Sequence, residues 1–290
     1  GAVGPDARAA GDSAERWTSS IIADGPLAGE NLHSVMLLQH EALLGGASAV
    51  ETEHGPQFPL LIKFLDARQD LSVQVHPPER YTKEHPEAKL KNECWFVLDH
   101  SDGARNLIGA KPGTTRAMFE QSLREGSCEN LLNAIEVKTG DTFYLPSGTV
   151  HAMGEGIVAA EVQTPSDTTY RVYDFDRIDP STGKKRALHV EQSLDCIDFE
   201  NDLKEFYVAP GDDDREIVTA PQFSLFRRSG KAGARPEQAK KRLRAIIVLE
   251  GKLQIGSQPI SASKGETILI PSSADGSIRI ETDARWLEVQ

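Results

Sequence analysis

The fold is decided by residues 137–152, which read VKTGDTFYLPSGTVHA. The run TFYL is apolar, and the Pro-Ser-Gly after it predicts a turn at Gly148. A second strand is expected to begin near His151. Short apolar runs with glycine and proline turns between them are typical of antiparallel β-structure.

Similar short runs recur on both sides of this segment. The run LSVQVHP (71–77) alternates between two faces, as a half-buried strand does. Three further predicted strands read PLLIKFL (59–65), CWFVLD (94–99) and IVAAEVQT (157–164). Many short strands joined by turns predict a mainly β protein, either a sandwich or a barrel.

Helices are expected only as excursions from the strands. Residues 32–44 (LHSVMLLQHEALL) carry apolar residues at helical spacing and predict one short helix. Residues 112–135 predict two more, the first ending at Gly126 and the second capped by Ser127. Residues 1 to about 30 are rich in Ala, Gly, Asp and Ser and are predicted to be loop and surface.

The pattern of residues 137–152 is repeated near the end of the chain. Residues 262–277 read ASKGETILIPSSADGS, and IIVLEG (246–251) likewise repeats WFVLDH (95–100). A repeated strand–turn–strand unit predicts a second, smaller barrel of the same kind. We therefore predict a larger domain over 1–205, with its helical insertion at about 111–135, and a small β-domain over 206–290. The acidic stretch around residues 210–214 would link them.

Polar residues in phase on apolar strands predict a metal site in the first domain. Gln74 and His76 are two residues apart on one strand, so their side chains share a face. Lys91 and Glu93 have the same spacing, and His151 follows the turn. An amide oxygen, two imidazoles and one carboxylate suit zinc, with a position left open for water or substrate.

Each of these residues has an ordinary structural explanation when it is taken alone. A single strand histidine is more often a core or surface residue, and Glu93 alone would be a surface charge. The set as a whole favours the metal. The repeat supports the assignment, because Arg244 replaces Glu93 and Gly276 replaces His151 in the second copy, so that only the first copy can bind metal.

Bulk properties exclude several classes of partner. The formal net charge of -12 argues against nucleic acid and anionic membranes, which are polyanions. No apolar run is long enough to span a bilayer, and the first residues do not read as a secretory signal. The three cysteines are odd in number and far apart, which fits a reducing cytoplasm.

Several runs together resemble the type I phosphomannose isomerases, in particular their short bacterial branch. These are FLDARQDLSVQVHP (64–77), KNECWFVL (91–98), TGDTFYLPSGTVHAMG (139–154) and AAEVQTPSDTTYRVYDFDR (159–177). The resemblance implies a cupin fold, that is, a jelly-roll β-barrel, with a degenerate second cupin-like domain. It also implies one Zn²⁺ per chain and a cytoplasmic enzyme that interconverts mannose 6-phosphate and fructose 6-phosphate through a cis-enediol.

The same resemblance assigns roles to single residues. The family's zinc ligands correspond to Gln74, His76, Glu93 and His151. Its catalytic arginine corresponds to Arg171, which would stabilise the enediolate or bind the phosphate. The lysine of the Lys-x-Glu strand corresponds to Lys91, a candidate acid or base if desolvation and the metal lower its pKa. The residues alone would instead suggest an exposed Lys91, and an Arg171 paired with Asp174 or Asp176.

The resemblance has departures, and other functions stay open. The chain lacks the Trp-Gly-Gly strand with which the family usually opens, and SAERWTSS (13–20) fits poorly. Either the chain is truncated at its start or residues are missing there, and we place no site residue before 60. One alternative is another metal-dependent cupin enzyme, such as an iron oxygenase. Another is a sugar-phosphate-binding protein without catalysis. The expected partner is in each case a small molecule.

Overall fold

The computed structural model describes residues 20–25, 27–52, 55–179, 182–201, 206–236, 241–257 and 259–290. These residues form two compact units. One is Leu60–Pro210, and the other combines the described residues up to Pro59 with Gly211–Gln290. The predicted boundary at residue 205 falls outside the described residues and stays a prediction, as does the loop predicted for the first 19 residues.

The helices are short and few in the described part of the chain. They are α1 (Leu32–Leu38), α2 (His40–Leu44), α3 (Glu79–Glu84), α4 (Arg116–Glu125) and α5 (Val190–Cys196). The prediction of a single helix over 32–44 is wrong, because two helices occupy that range. Gln39 separates them with φ -131° and ψ 39°, which are not helical angles. No described helix has the length and apolar character needed to cross a membrane.

The predicted helical excursion is present over residues 112–135, with two differences. Helix α4 ends at Gly126 as expected, in the left-handed conformation (φ +67°) that glycine adopts without strain. The second helix is a single 3₁₀ turn, Cys128–Leu131, and a strand begins at Leu132. The Ser127 side chain does not cap this turn. Its hydroxyl instead reaches back to the Ser122 carbonyl at 3.5 Å.

The strands alternate with turns along the whole described chain. Up to Pro210 they are β1 (Val50–Thr52), β2 (Gly55–Gln57), β3 (Leu61–Ala67), β4 (Val73–Val75), β5 (Glu93–His100), β6 (Arg105–Ala110), β7 (Leu132–Glu136), β8 (Thr142–Leu145), β9 (His151–Ala152), β10 (Ile157–Gln163), β11 (Tyr170–Tyr173), β12 (Ile178–Asp179), β13 (Lys184–Lys185) and β14 (Tyr207–Val208). After it they are β15 (Arg215–Thr219), β16 (Ser224–Gly230), β17 (Arg244–Glu250), β18 (Lys252–Ile255), β19 (Ile260–Ser263), β20 (Thr267–Ile270), β21 (Ile278–Ile280) and β22 (Ala284–Val289).

In the Leu60–Pro210 unit, the described strands form two five-stranded sheets and a two-stranded ribbon, β12-β13. The orders of the two sheets are β14-β8-β5-β10-β3 and β11-β4-β9-β6-β7. The sheets share an apolar core that includes Trp95, Ile108, Phe143, Leu145 and Ile157. The mainly β, cupin-type fold is therefore confirmed. Among the described strands, hydrogen bonds do not join the two five-stranded sheets into a closed ring.

The outer face of the second sheet has its own apolar cluster. Phe119 of α4 and Leu194 of α5 pack with Val73, Val75 and Val172 of the sheet. The alternating side chains of β4 explain this arrangement. Its valines face the outer cluster, which leaves Gln74 on the inner face.

The other unit repeats part of this arrangement. Its strands pair in the order β16-β22-β17-β20, which matches β3-β10-β5-β8. Even the register agrees, since Glu93 pairs with Leu145 and the equivalent Arg244 pairs with Ile270. Arg244 Nη2 donates to the carbonyl of Gly276 at 2.7 Å, so a guanidinium lies where the sequence repeat places the metal-site residues.

Candidate metal centre

Three ionisable side chains converge between the two sheets of the Leu60–Pro210 unit. Glu93 begins β5, His151 begins β9, and His76 directly follows β4. One ligand atom from each lies within 4.8 Å of those from the other two. Each residue is 1% exposed. The structure therefore brings together side chains that are 17 to 75 positions apart in the chain.

The separations suit a tetrahedral ion. His76 Nε2 lies 3.2 Å from Glu93 Oε1, and His151 Nε2 lies 3.5 Å from Glu93 Oε2. Zinc bonds of about 2.0–2.1 Å place neighbouring tetrahedral ligands about 3.4 Å apart. The three side chains thus have the spacing of ligands around one small cation.

Backbone carbonyls orient both imidazoles. His76 Nδ1 lies 3.0 Å from the Thr168 carbonyl, and His151 Nδ1 lies 2.8 Å from the Thr149 carbonyl. A carbonyl can only accept, so each Nδ1 carries the proton and each Nε2 presents a lone pair. His76 Nε2 and Glu93 Oε2 are buried without a hydrogen-bond partner in the described structure. Buried polar atoms of this kind are rare, and a metal would satisfy both.

Gln74 completes the predicted set from the same strand as His76. It pairs in register with His151, and its Nε2 lies 3.3 Å from His151 Nε2. The oxygen and nitrogen of an amide differ only by rotation of the group. Turning the amide over presents its oxygen at that position, as ligation would require.

Electrostatics keep the ligands in metal-binding protonation states. Burial, with Lys91 nearby, lowers the pKa of His76 to about 4, and burial also lowers the pKa of His151. Burial alone would raise the pKa of Glu93, but Lys91 and His76 outweigh it and hold the pKa well below its usual range. At neutral pH the site offers two neutral imidazoles and a carboxylate.

Lys91 lies at the edge of this group. Its Nζ is 2.7 Å from Glu93 Oε1, and the residue is 7% exposed, so it is not the surface lysine that its neighbours in sequence suggest. Burial favours a lower pKa, but Glu93 and Glu161 outweigh it and raise the pKa of Lys91. The protein groups alone therefore favour the ammonium, because the carboxylates stabilise it, and the lowering expected from a bound metal stays a prediction.

Arg171 lies on β11 and pairs in register with Gln74. Its Nε donates to Ser72 Oγ at 3.2 Å and its Nη1 to the Ala187 carbonyl at 3.1 Å. Burial and the nearby Arg186 lower its pKa. Arg171 thus lies on the strand next to the one that carries Gln74.

The acidic residues that could have paired with Arg171 bind other cations. Asp174 binds Arg177 and Arg186, and Asp176 binds Lys185. This pattern weakens the alternative of a purely structural ion pair for Arg171.

Three further polar residues line the first sheet beside the ligands, and the sequence prediction missed them. Lys63 of β3 contacts both Glu161 and Gln163 of β10, and Gln163 pairs in register with Glu93. The signal was available, because these residues are polar and in phase on otherwise apolar strands. It is the same signal that identified Gln74 and His76.

The chain is similar in sequence to proteins of one known family. The family model for "Phosphomannose isomerase type I, catalytic domain" matches residues 7–96. The mannose-6-phosphate isomerase of Streptococcus mutans is 35% identical over 258 residues, covering 88% of this chain and 79% of the relative.

Solved structures agree with the sequence comparison. The mannose 6-phosphate isomerase from Bacillus subtilis is 28% identical with a TM-score of 0.78, covering 93% of this chain and 85% of that one. A more distant structure, at 17% identity and a TM-score of 0.65, is a mannose 6-phosphate isomerase bound with zinc and yttrium; it covers 90% and 86% of the two chains. The more distant likeness shows the fold alone.

Proposed function

Because the chain belongs to the mannose-6-phosphate isomerase family, we propose that it interconverts mannose 6-phosphate and fructose 6-phosphate through a cis-enediol, with one zinc ion. The observation that carries the proposal is the buried group of His76, Glu93 and His151 with its unpartnered polar atoms. A buried site of this kind next to two cationic side chains suits a small anionic substrate.

Zinc would be held by Gln74, His76, Glu93 and His151. Neutral imidazoles and oxygen donors without a thiolate suit zinc, and one carboxylate leaves the centre with a net charge of about +1. When bound, the ion supplies Lewis acidity toward carbonyl and hydroxyl oxygens.

Lys91 would exchange protons with substrate oxygens. Its ammonium is buried and fixed on Glu93, so it can donate a hydrogen bond in a stable orientation. Competition between the metal and Lys91 for the same carboxylate would weaken that contact and bring the pKa of Lys91 closer to neutrality.

Arg171 would stabilise negative charge on the enediolate or the phosphate. Its guanidinium is held by Ser72 and by a backbone carbonyl, so its position needs no carboxylate partner. A guanidinium without a paired carboxylate keeps its full charge for an anionic ligand.

The proposal is tested by a coupled assay of mannose 6-phosphate conversion, with and without a chelator. Wild type should be active when metal is supplied, and chelation or His76→Ala should abolish both activity and bound zinc. His40→Ala is the matched control, since His40 is an exposed histidine of α2.

Three outcomes would reject parts of the proposal. An inactive, metal-loaded wild type that binds mannose 6-phosphate would indicate a sugar-phosphate-binding protein. Bound iron together with oxygen consumption would indicate an oxygenase. Activity that survives both chelation and His76→Ala would remove the metal from the mechanism.

A further inference from the structure

A buried carboxylate lies near the candidate metal centre without belonging to it. Glu161 is on β10, where it pairs in register with Lys63 on one side and Trp95 on the other. It is 4% exposed. Its Oε1 accepts from Trp95 Nε1 at 3.0 Å, and its Oε2 lies 2.7 Å from Lys63 Nζ. Both carboxylate oxygens are therefore bound to named side chains.

Trp95 links this carboxylate to a proposed metal ligand. Its ring meets the His151 ring edge-on, with the centroids 5.3 Å apart. Trp95 is also two residues after Glu93 on β5, so the two side chains share a face. The hydrogen bond from the indole to Glu161 fixes the ring plane that packs on His151.

Lys63 links the carboxylate to Gln163, which lies beside the ligand Glu93 in the sheet. Its ammonium also donates to Gln163 Oε1, and Gln163 is the register partner of Glu93. Gln163 Nε2 donates to the Thr164 carbonyl at 2.9 Å, which directs the amide oxygen toward Lys63. The Lys63 side chain is 34% exposed, so its ammonium is oriented by buried acceptors while it stays accessible.

Burying the Glu161 carboxylate costs desolvation free energy, and a purely stabilising role does not explain why the protein keeps it. Trp95, to which Glu161 is bound, belongs to an apolar cluster that includes Phe143 and Ala159. Apolar side chains of similar volume often stabilise a core as well as a buried ion pair does, or better. A carboxylate that holds two side chains at the wall of the site is better explained by the position it imposes on them.

We propose that Glu161 is a positioning residue of the isomerase, which holds the Lys63 ammonium toward the sugar phosphate and the Trp95 indole against His151. This inference rests on the proposed function. Glu161 acts through Lys63 and Trp95 and does not itself touch the substrate.

The kinetic test is a double-mutant cycle between Glu161→Gln and Lys63→Met in the metal-loaded protein. Residues that orient functional groups typically contribute about 10–100-fold. We expect a loss of that size in kcat/KM for Glu161→Gln. The loss caused by Glu161→Gln should be clearly smaller in the Lys63→Met background than in the wild type, because only its action through Trp95 remains there. Losses that multiply would overturn the proposal.

The double-mutant cycle remains informative even if Glu161→Gln alone does not fold. Glu161→Gln leaves the Lys63 charge without its partner and can destabilise the unit. The double variant removes both charges, so its comparison with Lys63→Met still tests the dependence. Glu120→Gln is the matched control, since it breaks the surface ion pair with Arg124 on α4. It should leave kcat/KM unchanged.

A spectroscopic measurement separates positioning from general stability. The chain has three tryptophans, and Trp95→Phe identifies the Trp95 indole signal in a ¹⁵N–¹H correlation spectrum. Glu161→Gln should shift that signal while zinc content stays at the wild-type level, and Glu161→Asp should restore part of the activity. An unmoved indole signal would overturn the proposal. A wild type without isomerase activity would instead reject the proposed function, since the indole shift does not depend on turnover.

Discussion

At the scale of single residues, the candidate site depends on which polar atoms already have partners. The Nδ1 atoms of His76 and His151 are fixed by backbone carbonyls, which leaves both Nε2 atoms facing Glu93. Arg171 is held by neutral oxygens, while its acidic neighbour Asp174 binds two other arginines. The site therefore combines preformed ligands with a cation that has kept its charge available.

Arg171→Ala tests whether that cation serves catalysis. We expect kcat/KM for mannose 6-phosphate to fall by about 10²–10³-fold, because a preorganised donor to developing negative charge contributes that much. Zinc content, measured by elemental analysis, should stay at the wild-type level. Loss of zinc from this variant would make Arg171 a structural support of β4 instead.

Asp174→Asn tests the neighbouring arginine cluster through stability. Burial alone would raise the pKa of Asp174, but Arg186 and Arg177 hold it below its ordinary value of 3.8. Asp174 is 5% exposed, and charged hydrogen bonds contribute about 1.5–3 kcal/mol, so the variant should lose about that much at pH 7.

The pH dependence of that loss has a definite sign. A depressed carboxyl pKa gives stability that is present above the unfolded pKa of about 3.9 and is lost as the pH falls through the folded pKa. The difference in unfolding free energy between wild type and Asp174→Asn should therefore be full at pH 7 and shrink below about pH 4. Urea titrations at several pH values measure it, and a difference that grows in acid would contradict the assignment.

At the scale of elements, turns and strand pairing place the ligands. Glu93 starts β5, His151 starts β9, and His76 follows β4, so each comes from a strand end whose position is fixed by hydrogen-bonded neighbours. The excursion between β6 and β7 is stopped by Gly126, whose N–H reaches the carbonyls of Leu123 and Ser122. That stop allows β7 to return to the sheet beside β6.

Gly126→Ala tests the helix stop. The glycine has φ +67°, and an added Cβ would meet only the Tyr173 hydroxyl, at 4.0 Å. The backbone conformation is thus the main cost, and we expect a loss of about 1 kcal/mol in unfolding free energy. Gly46→Ala is the control, since that glycine has open space and no positive φ. Equal effects for the two variants would contradict the explanation.

At the scale of the whole molecule, two units use related strand pairings for different purposes. The register of β5 with β8 recurs between β17 and β20, yet Arg244 stands where Glu93 stands in the first unit. The buried guanidinium donates to the Gly276 carbonyl and lies 3.7 Å from Glu288. In the second unit, a buried arginine side chain thus takes the position that a proposed metal ligand has in the first.

Arg244→Met tests this division of roles. Removing one partner of a buried ion pair costs about 3–5 kcal/mol, so thermal unfolding should begin at a clearly lower temperature. Zinc content and KM should stay unchanged, because all the proposed ligands lie in the Leu60–Pro210 unit. Loss of zinc in a variant that is still folded would show that the second unit supports the metal centre.

The sequence by itself determined the mainly β fold and the repeat, and it predicted Gln74, His76, Glu93 and His151 as metal ligands. Alternating side chains assign Gln74 and His76 to one face, and the Pro-Ser-Gly turn fixes where His151 begins. Both features follow from local backbone geometry, so the order of the residues is enough to predict them.

Only the tertiary structure decided which polar groups are partnered and which are free. That Glu161 joins Lys63 to Trp95 depends on strands far apart in the chain. That Lys91 is buried against Glu93, and that Asp174 binds arginines other than Arg171, depends on burial and side-chain positions, which the sequence does not show. The direction in which the protein groups shift the Lys91 pKa also depends on the tertiary structure. Burial and charge pairing oppose each other there, and only the distance to the carboxylate shows which effect is larger.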